Sequence, residues 1–237
     1  MATFAFIYAH PDDESFGIAG TAMKLAQAGH TTCLLTLTRG DVGNWFERTI
    51  GSWTPNDLAA ERAKEWQAAT RVIGFERATL LEWPDGGLAQ ADVEAVTADV
   101  VAFIRDTRPE VICTFGPEGA GSEHDDHRAT SFFAVRSFFR SAQGDLYPER
   151  GSAHAPKRLF FNAAPFDAGR PVAAMTPTHI VDIRDHLERK KQAFECHRTQ
   201  WKDRELFNDV LERRRGNEYF HLAIDLEAPA ARGDLLA

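Results

Sequence analysis

Cysteine is scarce in this chain: Cys33, Cys113 and Cys196 are the only three among 237 residues. The number is odd and no CxxC pair occurs, so a disulfide framework is excluded and reduced thiols are expected, as in the cytoplasm. Positive charge is also in deficit. Lys and Arg total 27 against 35 Asp and Glu, a net charge of -8. Such a surface repels phosphate backbones, which argues against a nucleic-acid partner. The basic runs Arg213–Arg215 and Lys190–Lys191 read as solvated helix faces. No stretch approaches the ~18 consecutive apolar residues of a membrane span. The opening MATFAFIYAHPDDE lacks the basic region of a signal peptide. HExxH, GxSxG and Walker patterns are missing, which removes metalloprotease, serine-hydrolase and P-loop readings.

What remains is ordinary globular composition, with 43% hydrophobic and 26% charged residues. At ~150 residues per domain the length allows one large domain or two small ones. No internal repeat or linker supports a second, so residues 1–237 are expected to form one domain.

The first half alternates between short apolar runs and helical stripes. Strands are expected at Thr3–Ala9, Thr32–Leu37, Thr79–Leu81 and Val111–Phe115. Helices are expected at Gly17–Ala28, Asp57–Ile73, Val93–Arg105 and Asp126–Arg140, the last with Phe132, Phe133, Val135, Phe138 and Phe139 on its apolar side. Fully apolar strands alternating with helices indicate an α/β, Rossmann-like sandwich: a mainly parallel sheet with helices on both faces. Right-handed crossovers favour the order 3-2-1-4-5, with the crevice at the carboxyl ends of the first and fourth strands. The second half is less regular, with strands expected at Leu159–Asn162, His179–Ile183 and Tyr219–Leu226 and helices at Arg184–His197 and Asp203–Arg213. Arg39–Asn56, Ser141–Lys157 and Ala163–Pro177 form long loops, the expected seat of substrate specificity.

Two clusters carry chemistry. His10-Pro11-Asp12-Asp13-Glu14 ends the first strand, where charged groups must be solvated, paired or bound to a metal. Glu123-His124-Asp125-Asp126-His127 follows the fourth strand, and Asp125 or Asp126 can cap the next helix. Each cluster alone also reads as a capped helix start with solvated acids. A parallel sheet brings the two to one crevice, and mixed imidazole and carboxylate ligation suits a zinc-type divalent ion. Two histidines and an aspartate can ligate, leaving a carboxylate and a histidine for proton transfer in metal-assisted hydrolysis. Spacing does not say which residue takes which role.

Weaker signals have plainer readings. Gly17-x-x-Gly20 lacks the full dinucleotide fingerprint and reads as close helix–sheet packing. Trp45, Phe46 and Trp53 crowd the first long loop and are as readily local packing as a sugar-stacking lid. His197 reads as structural.

Ala9-His10-Pro11-Asp12-Asp13-Glu14 resembles the (A/P)HPDDE signature of the LmbE-like, or PIG-L, family of zinc-dependent N-acetylglucosamine-type deacetylases. His124-Asp125-Asp126-His127 is similar to its HxDH motif. Thr38-Arg39-Gly40-Asp41, Arg62-x-x-Glu65, Pro84-Asp85-Gly86 and Lys191–Gln200 extend the resemblance from residue 3 to about residue 200. The resemblance implies that His10, Asp13 and His127 hold Zn2+, or another divalent ion such as Fe2+ or Mn2+. It implies Asp12 as general base, protonated His124 as acid, Asp126 as the group orienting His124, and Arg62 near the substrate. Glu123 and Asp125 replace the family's usual glycine and proline. The implied partner is a small N-acetylated amino-sugar derivative, with a homo-oligomer compatible with it. A metal-loaded sugar-binding protein without catalysis, and a nucleotide-binding protein whose acids hold magnesium, are the alternatives.

Overall fold

The fold grows outward from β1 (Thr3–Tyr8), whose Ala5, Phe6, Ile7 and Tyr8 are wholly buried. A strand apolar on both faces needs cover on both sides. In the computed structural model, which describes residues 1–42, 54–119, 124–164 and 175–227, β1 lies between two parallel neighbours. β2 (Thr31–Thr38) pairs with it in the register Ala5 to Cys33. β4 (Val111–Thr114) pairs on the other side, Ala5 to Ile112. β3 (Arg77–Trp83) and β5 (Arg158–Asn162) extend the sheet, also in parallel. β6 (His179–Asp182) and β7 (Asn217–Asp225) complete it as antiparallel strands. The order is β3-β2-β1-β4-β5-β7-β6. The expected 3-2-1-4-5 core is present, and the two late strands are added at its β5 edge.

Helices cover both faces. On one lie α1 (Asp13–Gly17), α2 (Ala19–Gln27), α3 (Pro55–Ile73) and α6 (Leu187–Glu195). On the other lie α4 (Val93–Thr107) and α5 (Asp125–Arg140). α7 (Arg204–Arg214) packs against the first group through Phe207, which stacks on Phe194 at 4.2 Å. The ends of α3 follow local chemistry. Thr54 and Asp57 form a reciprocal capping box, Pro55 opens the first turn, and Gly74 closes the helix in the left-handed region.

Some expectations need correction. The helix expected at Gly17–Ala28 begins earlier and is broken at Ile18, because α1 curls directly off the end of β1. Phe132 and Phe139 are 51% and 48% exposed, leaving Phe133 and Phe138 as the buried side of α5. Lys190 is not solvated: it is 2% exposed and pairs with buried Glu218, Nζ to Oε1 2.6 Å. The close-packing reading of Gly20 holds, since a Cβ there would lie 2.6 Å from Ile183. Cys33, Cys113 and Cys196 are free thiols. Among the described residues no helix is long and apolar enough to cross a membrane.

Candidate metal centre and active site

Because β1 and β4 are neighbours, the chain leaves both at the same sheet edge and turns to opposite faces. The two motifs, 114 positions apart in sequence, therefore meet there. His10 sits just past β1. His124 and His127 open α5, beyond the loop that follows β4. Asp85 arrives from the turn after β3.

The outer nitrogens of two imidazoles are held from behind. His10 Nε2 faces two carboxylates, Asp85 Oδ1 at 3.1 Å and Asp126 Oδ2 at 3.2 Å. His127 Nδ1 lies 3.3 Å from the Gly119 carbonyl. The inner nitrogens, His10 Nδ1 and His127 Nε2, lie 3.3 Å apart. Asp13 joins them, Oδ1 3.2 Å from His127 Nε2 and Oδ2 3.4 Å from His10 Nδ1. Three possible ligand atoms for a cation thus converge. A tetrahedral zinc with bonds of ~2.0–2.1 Å separates its ligand atoms by about 3.3 Å. The donor set fits a divalent cation in both chemistry and spacing.

The surrounding electrostatics favour positive charge at this point. Burial pushes the His10 pKa down, but Asp126, Asp13 and Asp85 outweigh it and the net shift is upward. Burial pushes Asp13 up, yet His127 and His10 hold it well below the usual carboxylate range. Two other groupings, His10 with His124 and His127, and His10 with Asp85 and Asp126, also have cation-like spacing. The second is already saturated: Asp126 is wholly buried and accepts from Gly86 N at 2.6 Å and Leu88 N at 3.0 Å. Asp85 and Asp126 thus hold the His10 imidazole from behind, as carboxylates do for histidines that bind metals.

Asp12 stands beside this cluster in a strained backbone, with φ 128°. Such a conformation costs about 1–3 kcal/mol and persists only when its surroundings over-determine it. Here they do. Arg62 Nη2 bonds Asp12 Oδ2 at 3.1 Å and also the Pro11 carbonyl, and Asp12 N donates to Glu14 Oε2 at 3.0 Å. Glu14 in turn is held by His197 at 2.7 Å, both wholly buried. Burial raises the Asp12 carboxyl to about 6, against the opposing pull of Arg62. Gly40 makes room for this clamp, since a Cβ there would lie 2.5 Å from the Arg62 guanidinium.

Three of the residues given roles from sequence make contacts beyond the metal cluster. Arg62 is 2% exposed, bonds Gly40 O, Pro11 O and Asp12 through its Nη groups, and also lines the cavity over the site. Asp126 orients His10 through its carboxylate, while it reaches His124 through its backbone N–H, 3.2 Å from Nδ1. That contact makes His124 the cap of α5, a place assigned above to Asp125 or Asp126. It also leaves Nδ1 unprotonated. Burial, His10 and His127 lower the His124 pKa, opposed by Asp126 and Asp13.

Residues 5–138 match the family profile described as PIG-L, GlcNAc-PI de-N-acetylase. The chain belongs to the PIG-L family. A curated relative in Catenulispora acidiphila, named 1D-myo-inositol 2-acetamido-2-deoxy-alpha-D-glucopyranoside deacetylase 2, is 29% identical over 98% of this chain and 95% of its own. Among solved structures, N,N'-diacetylchitobiose deacetylase of Pyrococcus horikoshii is similar in fold, with TM-score 0.78, 22% identity, and coverage of 94% of this chain and 84% of that one. GalB of Pseudomonas putida, a 4-carboxy-2-hydroxymuconate hydratase, has TM-score 0.76 at 17% identity, covering 99% and 100%. A fold shared by a deacetylase and a hydratase does not assign a reaction by itself; the site must do so.

A cavity of about 690 Å³ opens over the PIG-L motifs. Its lining includes residues the sequence reading gave no role: Asp85, Asn162, Gln200 and Arg214. Asp85 had a signal, a carboxylate at the carboxyl end of a parallel strand. Arg214 had none, being one of three consecutive arginines. The loop Ser141–Lys157, expected to shape specificity, contributes nothing to this lining. Arg105 pins it to α4 by bonds to five of its carbonyls, those of Ser141, Gln143, Leu146, Tyr147 and Gly151. Asp125 is an exposed partner of Arg128 at 2.6 Å. Trp45, Phe46, Trp53 and Glu123 lie outside the described residues.

Proposed function

We propose that the protein is a metal-dependent N-deacetylase, removing an acetyl or similar acyl group from an amino-sugar derivative by amide hydrolysis. The observation that carries this reading is the triangle of His10 Nδ1, Asp13 and His127 Nε2, with sides of 3.2–3.4 Å, beside the carboxylate of Asp12. The names of the curated relatives supply the substrate class. We also read residues 1–237 as one domain, because the late strands join the same sheet as the early ones, and the free thiols as those of a cytoplasmic protein.

His10, Asp13 and His127 would hold the ion, zinc by the donor set, with iron and manganese as the other candidates. When bound, such an ion polarises a carbonyl as a Lewis acid and lowers the pKa of a water toward ~7. Asp12 removes a proton from the attacking water. Its carboxyl, raised to about 6 by burial, is close enough to neutrality both to accept that proton and to return it to the departing amine. His124 donates its Nε2–H to the acyl oxygen as negative charge develops there. Asp126 N–H holds the ring for that task. Arg62 and Glu14 keep Asp12 in place. The cavity is large enough for an amino sugar and a substituent.

The test is to incubate zinc-, iron- and manganese-loaded protein with N-acetylglucosamine, its chitobiose and its inositol glycoside, measuring acetate and primary amine. Stoichiometric release from at least one is expected. Tight metal and sugar binding with no acetate from any of them would instead establish a sugar-binding protein.

A further inference from the structure

Asn162, which ends β5, is an amide with one half in use. It is 5% exposed and lines the cavity over the metal cluster. Tyr8 OH donates to its Oδ1 at 2.5 Å. Its Nδ2 makes no hydrogen bond with any described residue and opens to the cavity. A phenol donates to the carbonyl side of an amide, so the side left over carries two N–H donors.

Buried N–H groups are almost always paired, and one without a partner carries a desolvation cost. The neighbours hold this one open. Gly17 lies against it: a Cβ there would come within 2.8 Å of Nδ2, so glycine leaves the amide its place. The strand registers pair Phe6 with Cys113 and Thr114 with Phe161. Continued to the strand ends, they set Tyr8, Phe115 and Asn162 in one row. Tyr8 meets Phe115 edge-on at 4.8 Å, and Phe115 stacks on His127 at 4.0 Å. The packing that seats a candidate metal ligand therefore seats the amide as well. β5 lies two strand spacings, about 10 Å, from β1. Asn162 is thus set apart from His10, on a side open to the rest of an amino sugar whose acyl group is at the cluster. An uncharged donor in a buried wall suits an uncharged oxygen, and a sugar hydroxyl is one.

We infer that Asn162 is a specificity-determining residue: its Nδ2 donates to one hydroxyl oxygen of the amino-sugar ring. Tyr8 is its positioning residue, holding Oδ1 so that the amide does not turn over and present an acceptor. The sugar part of this inference rests on the deacetylase reading; the contact is tested by binding alone.

The probes are the phenyl glycoside of N-acetylglucosamine, in both anomers, and its 3-deoxy, 4-deoxy and 6-deoxy forms. They are titrated calorimetrically into zinc-loaded protein carrying Asp12→Asn to prevent turnover. One deoxy probe binds about tenfold weaker than the parent, as where a buried donor is left unpaired. Adding Asn162→Ala weakens the parent by a similar factor but leaves that probe unchanged, so the two losses do not add. The other two deoxy probes show additive losses. Adding Tyr8→Phe shrinks the discrimination at the same hydroxyl. Because Asn162→Ala strands the Tyr8 phenol, Asn162→Ala with Tyr8→Phe is measured too, with circular dichroism and zinc content as checks on fold and metal. Additive losses at all three hydroxyls, parent binding that Asn162→Ala leaves unchanged, or binding of no probe overturns the contact. A coupled hydroxyl without acetate release by the wild-type protein leaves the contact standing and overturns the deacetylase reading. Acetate release with additive losses does the reverse.

Discussion

Arg62 reaches under the cavity to bond Asp12, Nη2 to Oδ2 3.1 Å, while remaining 2% exposed itself. The pair couples a buried cation to a carboxylate in a strained backbone, so Arg62 sets both the position and the acidity of Asp12. Arg62 lowers the Asp12 pKa, and its removal must raise it. Arg62→Gln therefore moves the acid limb of the kcat/KM profile to higher pH and lowers kcat at neutrality by tenfold or more. Arg62→Lys, which keeps the charge, restores part of both. Breaking a buried pair also costs about 3–5 kcal/mol, so each profile is paired with a denaturation curve.

Removing any one of the converging acceptors should empty the metal centre. His10→Ala, Asp13→Ala and His127→Ala are each expected to drop metal content from about one equivalent to near zero by elemental analysis. Asp85→Asn removes a carboxylate behind His10 and should weaken affinity by about 10–100-fold without abolishing binding. A chelator abolishes acetate release, and zinc restores it.

Asp12→Asn retains the ion but loses the base, a loss of about 10²–10⁴ in kcat. His124→Ala removes a single donor to the acyl oxygen and should cost about 10²–10³. Nitrogen NMR is expected to show His124 neutral and protonated on Nε2 between pH 7 and 8, since its pKa is lowered from the ordinary 6.5. An imidazolium signal for His124 in that range would contradict this assignment.

The buried Glu14–His197 pair links pH to stability. Burial lowers the His197 pKa, but Glu14 and Asp12 outweigh it and raise the folded-state value above 6.5. A raised histidine stabilises the fold fully below its unfolded pKa of about 6.5 and loses that contribution as pH climbs through the folded value. Urea midpoints should therefore fall as pH rises above about 6.5, and His197→Gln should flatten the dependence.

Gly20 meets Ile183 with no space for a side chain, the nearest approach of an added Cβ being 2.6 Å. Gly20→Ala is expected to destabilise by about 1–3 kcal/mol through overpacking. Ile183→Val in the same protein should recover part of the loss in thermal melts.

The alternation of strands and helices, the parallel core and the meeting of His10 with His127 were legible in the sequence, because each follows from local rules. Apolar runs mark strands covered on both faces, and parallel neighbours must release their next residues at one edge. Where β6 and β7 would pair was not legible, since an antiparallel addition depends on which edge of the sheet is left open.

The amino-acid sequence by itself determined the core order, the donors available to a cation and the edge where they gather. Only the tertiary structure decided that Asp126 serves His10, that Arg62 serves Asp12, that Lys190 is buried, and that Arg214 alone of its run turns into the cavity. Those outcomes depend on which buried charge finds a partner across the fold. That choice is made by distances of a few ångströms between segments remote in sequence, which no local pattern encodes.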